Sequence, residues 1–250
     1  MMEQQANRIE RRQCDVLVIG GGPAGCTVAP LLAEQGHRVV MLEKARHPRF
    51  HIGESLLPAN LPLFERMGIA DEVKAIGMLK PGAEFVSPHH DASSVFHFAE
   101  AWDKTMPFAY QVRRDEFDTI LIRNAARQGV EVHEGCKARG VDFLPDRTVL
   151  VRARHDDGSE IEWHARFLVD ASGRDTFLAN RFQIKHRNPR HNSSAIYGHF
   201  AGAKRNPGQA AGNITIFWFE HGWFWFIPMR DDVTSIGMVT WPYYMKTKGE

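Results

Sequence analysis

The junction "VLVIGGGPAG", where an apolar run passes through Gly20-x-Gly22-x-x-Gly25 into a helical pattern, constrains the fold of this chain more than any other feature. "CDVLVIG" is compact, rich in Val and Ile and bounded by glycine, and reads as a buried parallel strand. From Ala24 to Gln35 the pattern is helical, with Val28, Leu31 and Leu32 on one face and Gly36 as the stop. "RVVMLEK" then supplies a second buried strand, completing a βαβ unit. In such a unit Gly20 permits the tight turn, Gly22 lets backbone approach a pyrophosphate, and Gly25 lets helix and strand pack closely. Pro23 and Ala24 open the helix, whose free N–H groups and dipole favour a phosphate. Eighteen residues after Gly25, Glu43 ends the second strand, where a carboxylate accepts ribose hydroxyls and disfavours a 2'-phosphate; Lys44 follows it. A glycine-rich turn with no ligand is the plainer alternative.

The rest of the chain alternates in character. Helical segments are expected around Leu61–Met67 and Asp71–Ile76, with Ser55 as a cap and Pro58 near a helix start. "AEFVS", "SVFHFA" and "FAYQV" read as short extended pieces, Asp115–Gln128 as a helix, and "VEVHEG", "TVLVRARH" and "IEWHARFLVDAS" as strands. Past residue 190 nearly everything is strand signal: "SAIYGHF", "NITIFWFE", "WFWFIPM" and "VTSIGMVT". The expected class is therefore α/β (α+β): a Rossmann-like dinucleotide-binding domain over 13–80 and 110–180, interleaved with a mostly antiparallel β-rich domain over 81–109 and 181–250.

Composition closes off several functions. Thirty-one Lys and Arg against thirty Asp and Glu leave a charge of +1, so no global field recruits nucleic acid or an anionic membrane. Three scattered cysteines give no disulfide framework and, with a polar leader "MMEQQANRIERRQ" and no long apolar run, favour a cytoplasmic protein without a transmembrane segment. The thirteen histidines, as in "SPHHDAS" and "HPRFH", show no metal-ligand spacing, so no metal is expected.

In "GWFWFIPM" Trp223 and Trp225 share one strand face while Phe224 and Phe226 share the other, and Pro228 limits pairing on its N–H side. All four could fill a core. The pattern Trp223-x-Trp225-x-Ile227-Pro228, downstream of the glycine turn, also matches the W-x-W-x-I-P signature of flavin-dependent halogenases. "HIGESLLPANL" resembles that family's G-E-S-L-L-P segment near the flavin (Gly53, Glu54, Ser55), and "LKPGAEF" its segment carrying a catalytic lysine, Lys80. "QVRRDEFDTIL" and "LVDASGR" resemble the wider flavoprotein monooxygenase pattern of an arginine before a helix, Arg114, and a D-x-x-G element, Asp170 and Gly173. Residue by residue the bland readings are solvated charges for Arg114 and Lys80 and a turn for Asp170.

The resemblance spans Asp15 to about Val239 and implies FAD, reduced by a separate flavin reductase. It also implies a halide co-substrate, chloride or bromide. Hypohalous acid formed at the flavin would pass to Lys80, sited in a loop leading into a strand, which presents it to a small electron-rich aromatic substrate, free or bound to a carrier protein. The tryptophans would keep that substrate from the flavin, where hydroxylation would result. The resemblance further implies that the chain corresponds to the N-terminal half of a longer protein and binds flavin weakly by itself. A hydroxylase or reductase of the same superfamily and a non-catalytic flavin-binding fragment stay open.

Overall fold

The computed structural model describes residues 9–90, 93–186, 188–189 and 192–246; the first eight residues of the polar leader and the last four residues lie outside them. The chain begins with β1 (Glu10–Ile19), α1 (Pro23–Glu34) and β2 (Val39–Glu43), followed by α2 (Leu61–Arg66), α3 (Ala70–Ile76), β3 (Met78–Lys80), β4 (Gly82–Val86), β5 (Ser93–His97) and β6 (Ala109–Gln111). α4 (Arg114–Arg127) leads to β7 (Glu131–Glu134), β8 (Cys136–Phe143), β9 (Val149–His155), β10 (Glu160–Asp170) and α5 (Phe177–Arg181). β11 (Ser194–Ala201), β12 (Ile214–Phe219), β13 (Gly222–Pro228), β14 (Val233–Thr240) and α6 (Pro242–Met245) complete it.

Two compact units result. One runs to Phe50 and resumes over Asp118–Lys185; the other comprises His51–Phe117 and continues from His186. The breaks fall at 50/51, 117/118 and 185/186, against the expected 80/81, 109/110 and 180/181.

The first unit is built on one six-stranded sheet in the order β7-β2-β1-β10-β9-β8, the first four strands parallel and the last two antiparallel additions. One side of its core contains Leu17, Ile19, Val40, Leu42, Val151 and Trp163, and Val16, Val18, Val39 and Met41 are buried as well, so β1 and β2 are covered on both faces. Strand β1 starts at Glu10, earlier than "CDVLVIG", because its charged start finds partners in the sheet: Arg11 pairs with Glu162 and Arg12 with Glu131. β8, "CKARGVDF", was not expected as a strand, since a bulge between Ala138 and Gly140 breaks the alternation of Cys136, Ala138 and Val141. The buried face of α1 is Gly25, Cys26, Ala29 and Pro30, not Val28, Leu31 and Leu32, which are only partly covered. Close approach to the strands selects the small residues. Gly36 does end the helix, at φ +82°.

The second unit carries a six-stranded sheet, order β11-β14-β13-β12-β4-β5, antiparallel except where β12 meets β4. A two-stranded ribbon joins β3 to β6. Phe64 of α2 meets Phe117 edge-on at 5.7 Å. Two expectations fail locally. Ser55 caps no helix: Leu57 precedes the 3-10 turn Pro58–Asn60, and Ser55 bridges to Gln111 while its hydroxyl is taken by Lys80. Lys80 lies at the end of β3, not in a loop; the extended geometry favoured before Pro81 suits a strand equally well.

Candidate functional site

In the first unit, parallel pairing sets the carboxyl ends of β1, β2 and β10 side by side, with Ile19 opposite both Leu42 and Asp170. That edge is where open α/β sheets bind ligands. Gly20 turns at φ +108°, and a Cβ there would overlap the Ala171 carbonyl oxygen; at Gly25 it would overlap the Gly20 carbonyl oxygen. Gly22 differs: a Cβ there would meet nothing nearer than Arg49 Nη2 at 3.7 Å. Two glycines thus permit packing and the third keeps space in front of a helix start. α1 has Pro at its first position, no side-chain cap and no acid in its first turn, so its N–H groups and dipole are available to an anion.

Glu43 is buried and does more than end β2. Its carboxylate accepts the Gly21 N–H at 2.6 Å and the Ala45 N–H at 2.8 Å, tying the glycine turn to β2. Each oxygen keeps a lone pair for a hydroxyl. Gly21 escaped the sequence reading, yet a Cβ there would crowd Glu43 and Ile122 at 2.9 Å. Asp170 spends its oxygens on the Ser172 N–H, 3.0 Å, and the Leu178 N–H, 2.7 Å, so it shapes the D-x-x-G turn in which Gly173 adopts φ +61°. Lys44 pairs with Asp175 of the same turn. Gly20, Gly22, Pro23, Ala24, Gly25, Glu43, Lys44, Asp170 and Gly173 therefore all belong to one edge of one sheet.

The remaining predicted residues belong to the second unit. Gly53, at φ +100°, starts a stretch that runs along β6: Val112 N–H donates to Glu54 O and Leu56 N–H to Tyr110 O. Arg114, buried at the start of α4, donates from Nη1 to the Ile52 carbonyl at 2.7 Å and so braces this stretch from behind. Lys80 is 3% exposed; its Nζ donates to Ser55 Oγ at 2.8 Å and Leu56 O at 3.0 Å and lies 5.2 Å from the Phe98 ring centre. Among the described residues no carboxylate pairs with it. Burial without a countercharge pushes the ammonium down to about 8.

Trp223 and Trp225 do share a sheet face, their rings 5.9 Å apart. Trp225 is buried with Ile227 and Met229, whereas Trp223 is 38% exposed. Gly237, opposite Trp225 on β14, is what lets the indole lie flat, since a Cβ there would strike its six-membered ring; Tyr197 of β11 stacks from the far side at 6.3 Å. A lone glycine inside a strand pattern was the available signal. Trp225 Nε1 donates to Ser235 Oγ at 3.1 Å, and Ser235 stands opposite His199, whose Nε2 meets Glu54 Oε1 at 2.7 Å. The G-E-S stretch thus reaches the tryptophan-bearing face. Pro228 closes β13 opposite Thr234. A cleft of about 290 Å³ lined by Leu61, Phe64, Glu65, Met106, Phe108 and Tyr110 contains none of these residues and no cation for a phosphate. Among the described residues no group could hold a metal, and no helix is long and apolar enough to cross a membrane.

Comparison with known proteins agrees on one lineage. Residues 13–249 match the family described as FAD binding domain. A tryptophan 2-halogenase of Chondromyces crocatus is 34% identical over 93% of this chain and 44% of its own length. A 1H-pyrrole-2-carbonyl-[peptidyl-carrier protein] chlorinase of Pseudomonas fluorescens is 32% identical over 90% of this chain and 55% of its own. The myxobacterial chondrochloren halogenase CndH, an FAD-dependent enzyme of known structure, superposes with a TM-score of 0.86 at 40% identity, covering 94% of this chain and 54% of that one. The chain spans about half the length of the relatives it matches.

Proposed function

The chain belongs to the FAD binding domain family, its relatives are flavin-dependent halogenases, and from that premise we propose that it forms the flavin and lysine portion of an enzyme halogenating an electron-rich aromatic ring. The observation that carries this reading is the buried, unpaired ammonium of Lys80, held at two atoms by Ser55 and Leu56. A lysine serving only solubility would extend into water.

The glycine edge of the first unit suits FAD: an open Gly22, an uncapped helix start for the diphosphate and Glu43 for ribose hydroxyls. When bound and reduced by a partner reductase, FAD supplies the oxygen activation by which halide becomes hypohalous acid. The chain's own contribution follows at Lys80. Near pH 8 its protonated form donates a hydrogen bond to the oxidant, and its free amine attacks the halogen, giving N–X and water. Transfer of X to the ring breaks N–X and forms the carbon–halogen bond; the ring loses its proton and Nζ takes one up, which restores the amine. Ser55 and Leu56 accept from Nζ before the attack, which supplies positioning before chemistry. Trp223 and Trp225 form a bulky face that separates an organic substrate from the flavin. The two halogenases named above differ in substrate, one tryptophan and one a carrier-bound pyrrole, so the class proposed is the electron-rich aromatic, free or carrier-bound.

Supplying reduced FAD, oxygen and a reporter phenol to the full-length protein, with and without bromide, tests the reading. Brominated product only with bromide is expected. Hydroxylated phenol irrespective of bromide would replace it with the hydroxylase alternative.

A further inference from the structure

We propose that Arg49 is the cation that binds the cofactor's diphosphate, a role resting on the FAD site described above. Three observations of the first unit converge on it. Arg49 Nη2 is the nearest atom to the open side of Gly22, 3.7 Å from where a Cβ would stand, so the guanidinium borders the space at the start of α1. Its other arm, Nη1, lies 3.2 Å from Oδ2 of Asp118, a carboxylate with no exposed side-chain surface in α4. Nη1 is itself buried and donates no hydrogen bond, so Asp118 attracts the guanidinium without satisfying it.

The arrangement has a physical logic. A fully buried carboxylate requires a neighbouring charge, and Asp118 thereby holds a flexible arginine in one pose. Arginine's planar fork carries five donors; the pair with Asp118 occupies one edge and leaves Nη2 directed toward the glycine turn. Uncapped helix N–H groups and a fixed guanidinium across an open glycine compose a two-sided clamp for a diphosphate. The adenosine portion would be held elsewhere, by Glu43, so the two halves of the ligand can be tested apart.

Titrating ADP and adenosine separately into the protein and into an Arg49→Gln/Asp118→Asn double variant tests the assignment, since removing both charges leaves no buried carboxylate unpaired. A loss of about tenfold or more in ADP affinity with adenosine binding unchanged is expected, the scale of one charge-assisted hydrogen bond. Arg49→Lys should restore part of the ADP affinity. Equal loss for both ligands would make Arg49 a structural pin, and unchanged ADP affinity, or no preference for ADP in the unaltered protein, would also overturn the proposal. A failure of halogenation with ADP binding intact would strike the proposed activity alone.

Discussion

The four glycines of the hexapeptide Gly20–Gly25 divide between packing and open space, and substitution separates the two roles. Gly25→Ala forces a methyl group into the Gly20 carbonyl, so melting should show a loss of about 3 kcal/mol or more and FAD binding should fail with the fold. Gly22→Ala meets open space; its melting temperature should stay near that of the unaltered protein while FAD affinity falls at least several-fold. Equal effects on stability would contradict the division. Lys80 offers a second contrast. Its pKa falls from 10.5 to about 8 on folding, so the unfolded chain binds more protons between these values and stability rises with pH across that window. Relative to Lys80→Met, the unaltered protein should gain roughly 3 kcal/mol between pH 8 and pH 10.5 in urea melts. Parallel profiles for the two would mean that Nζ is not buried as described.

At the level of elements, β13 shows how a strand can be both core and wall. Its alternation was legible because period two assigns faces without any tertiary knowledge, and the register across β12 and β14 follows it. What alternation could not reveal was the partner that each indole needs. Trp225 is buried because Gly237 vacates the space opposite and Tyr197 closes it, a three-strand coincidence of residues far apart in sequence. Gly237→Ala should cost about 1–3 kcal/mol in the unaltered protein and much less in a Trp225→Ala background, giving a positive coupling in a double-mutant cycle. Additive effects would show that the indole does not rest on Gly237. The same limit explains the misread Ser55: a serine before a helix has the chemistry of a cap, and only the arrival of Lys80 from β3 redirects its hydroxyl. β8 was missed because one bulge is enough to scramble a short alternating pattern.

For the molecule as a whole, the sequence made the βαβ opening and the strand-rich second half plain, since both depend on local periodicity and on turns that only glycine tolerates. The division into units was less legible: residues 51–80 and 110–117 join the β-rich unit through the ribbon β3-β6 and the strand-like stretch at Gly53, contacts with no periodic signature. Arg49, His199 and Ser235 likewise carry no motif of their own and become visible only by what they touch. The central claim is that Lys80 carries the halogen to the substrate without taking part in flavin oxidation. Its most direct test is to follow reoxidation of reduced FAD and formation of brominated phenol together in the Lys80→Ala variant. Reoxidation at a rate close to that of the unaltered enzyme, with brominated product reduced at least a hundredfold, is the predicted result; bromination at the ordinary rate would contradict it.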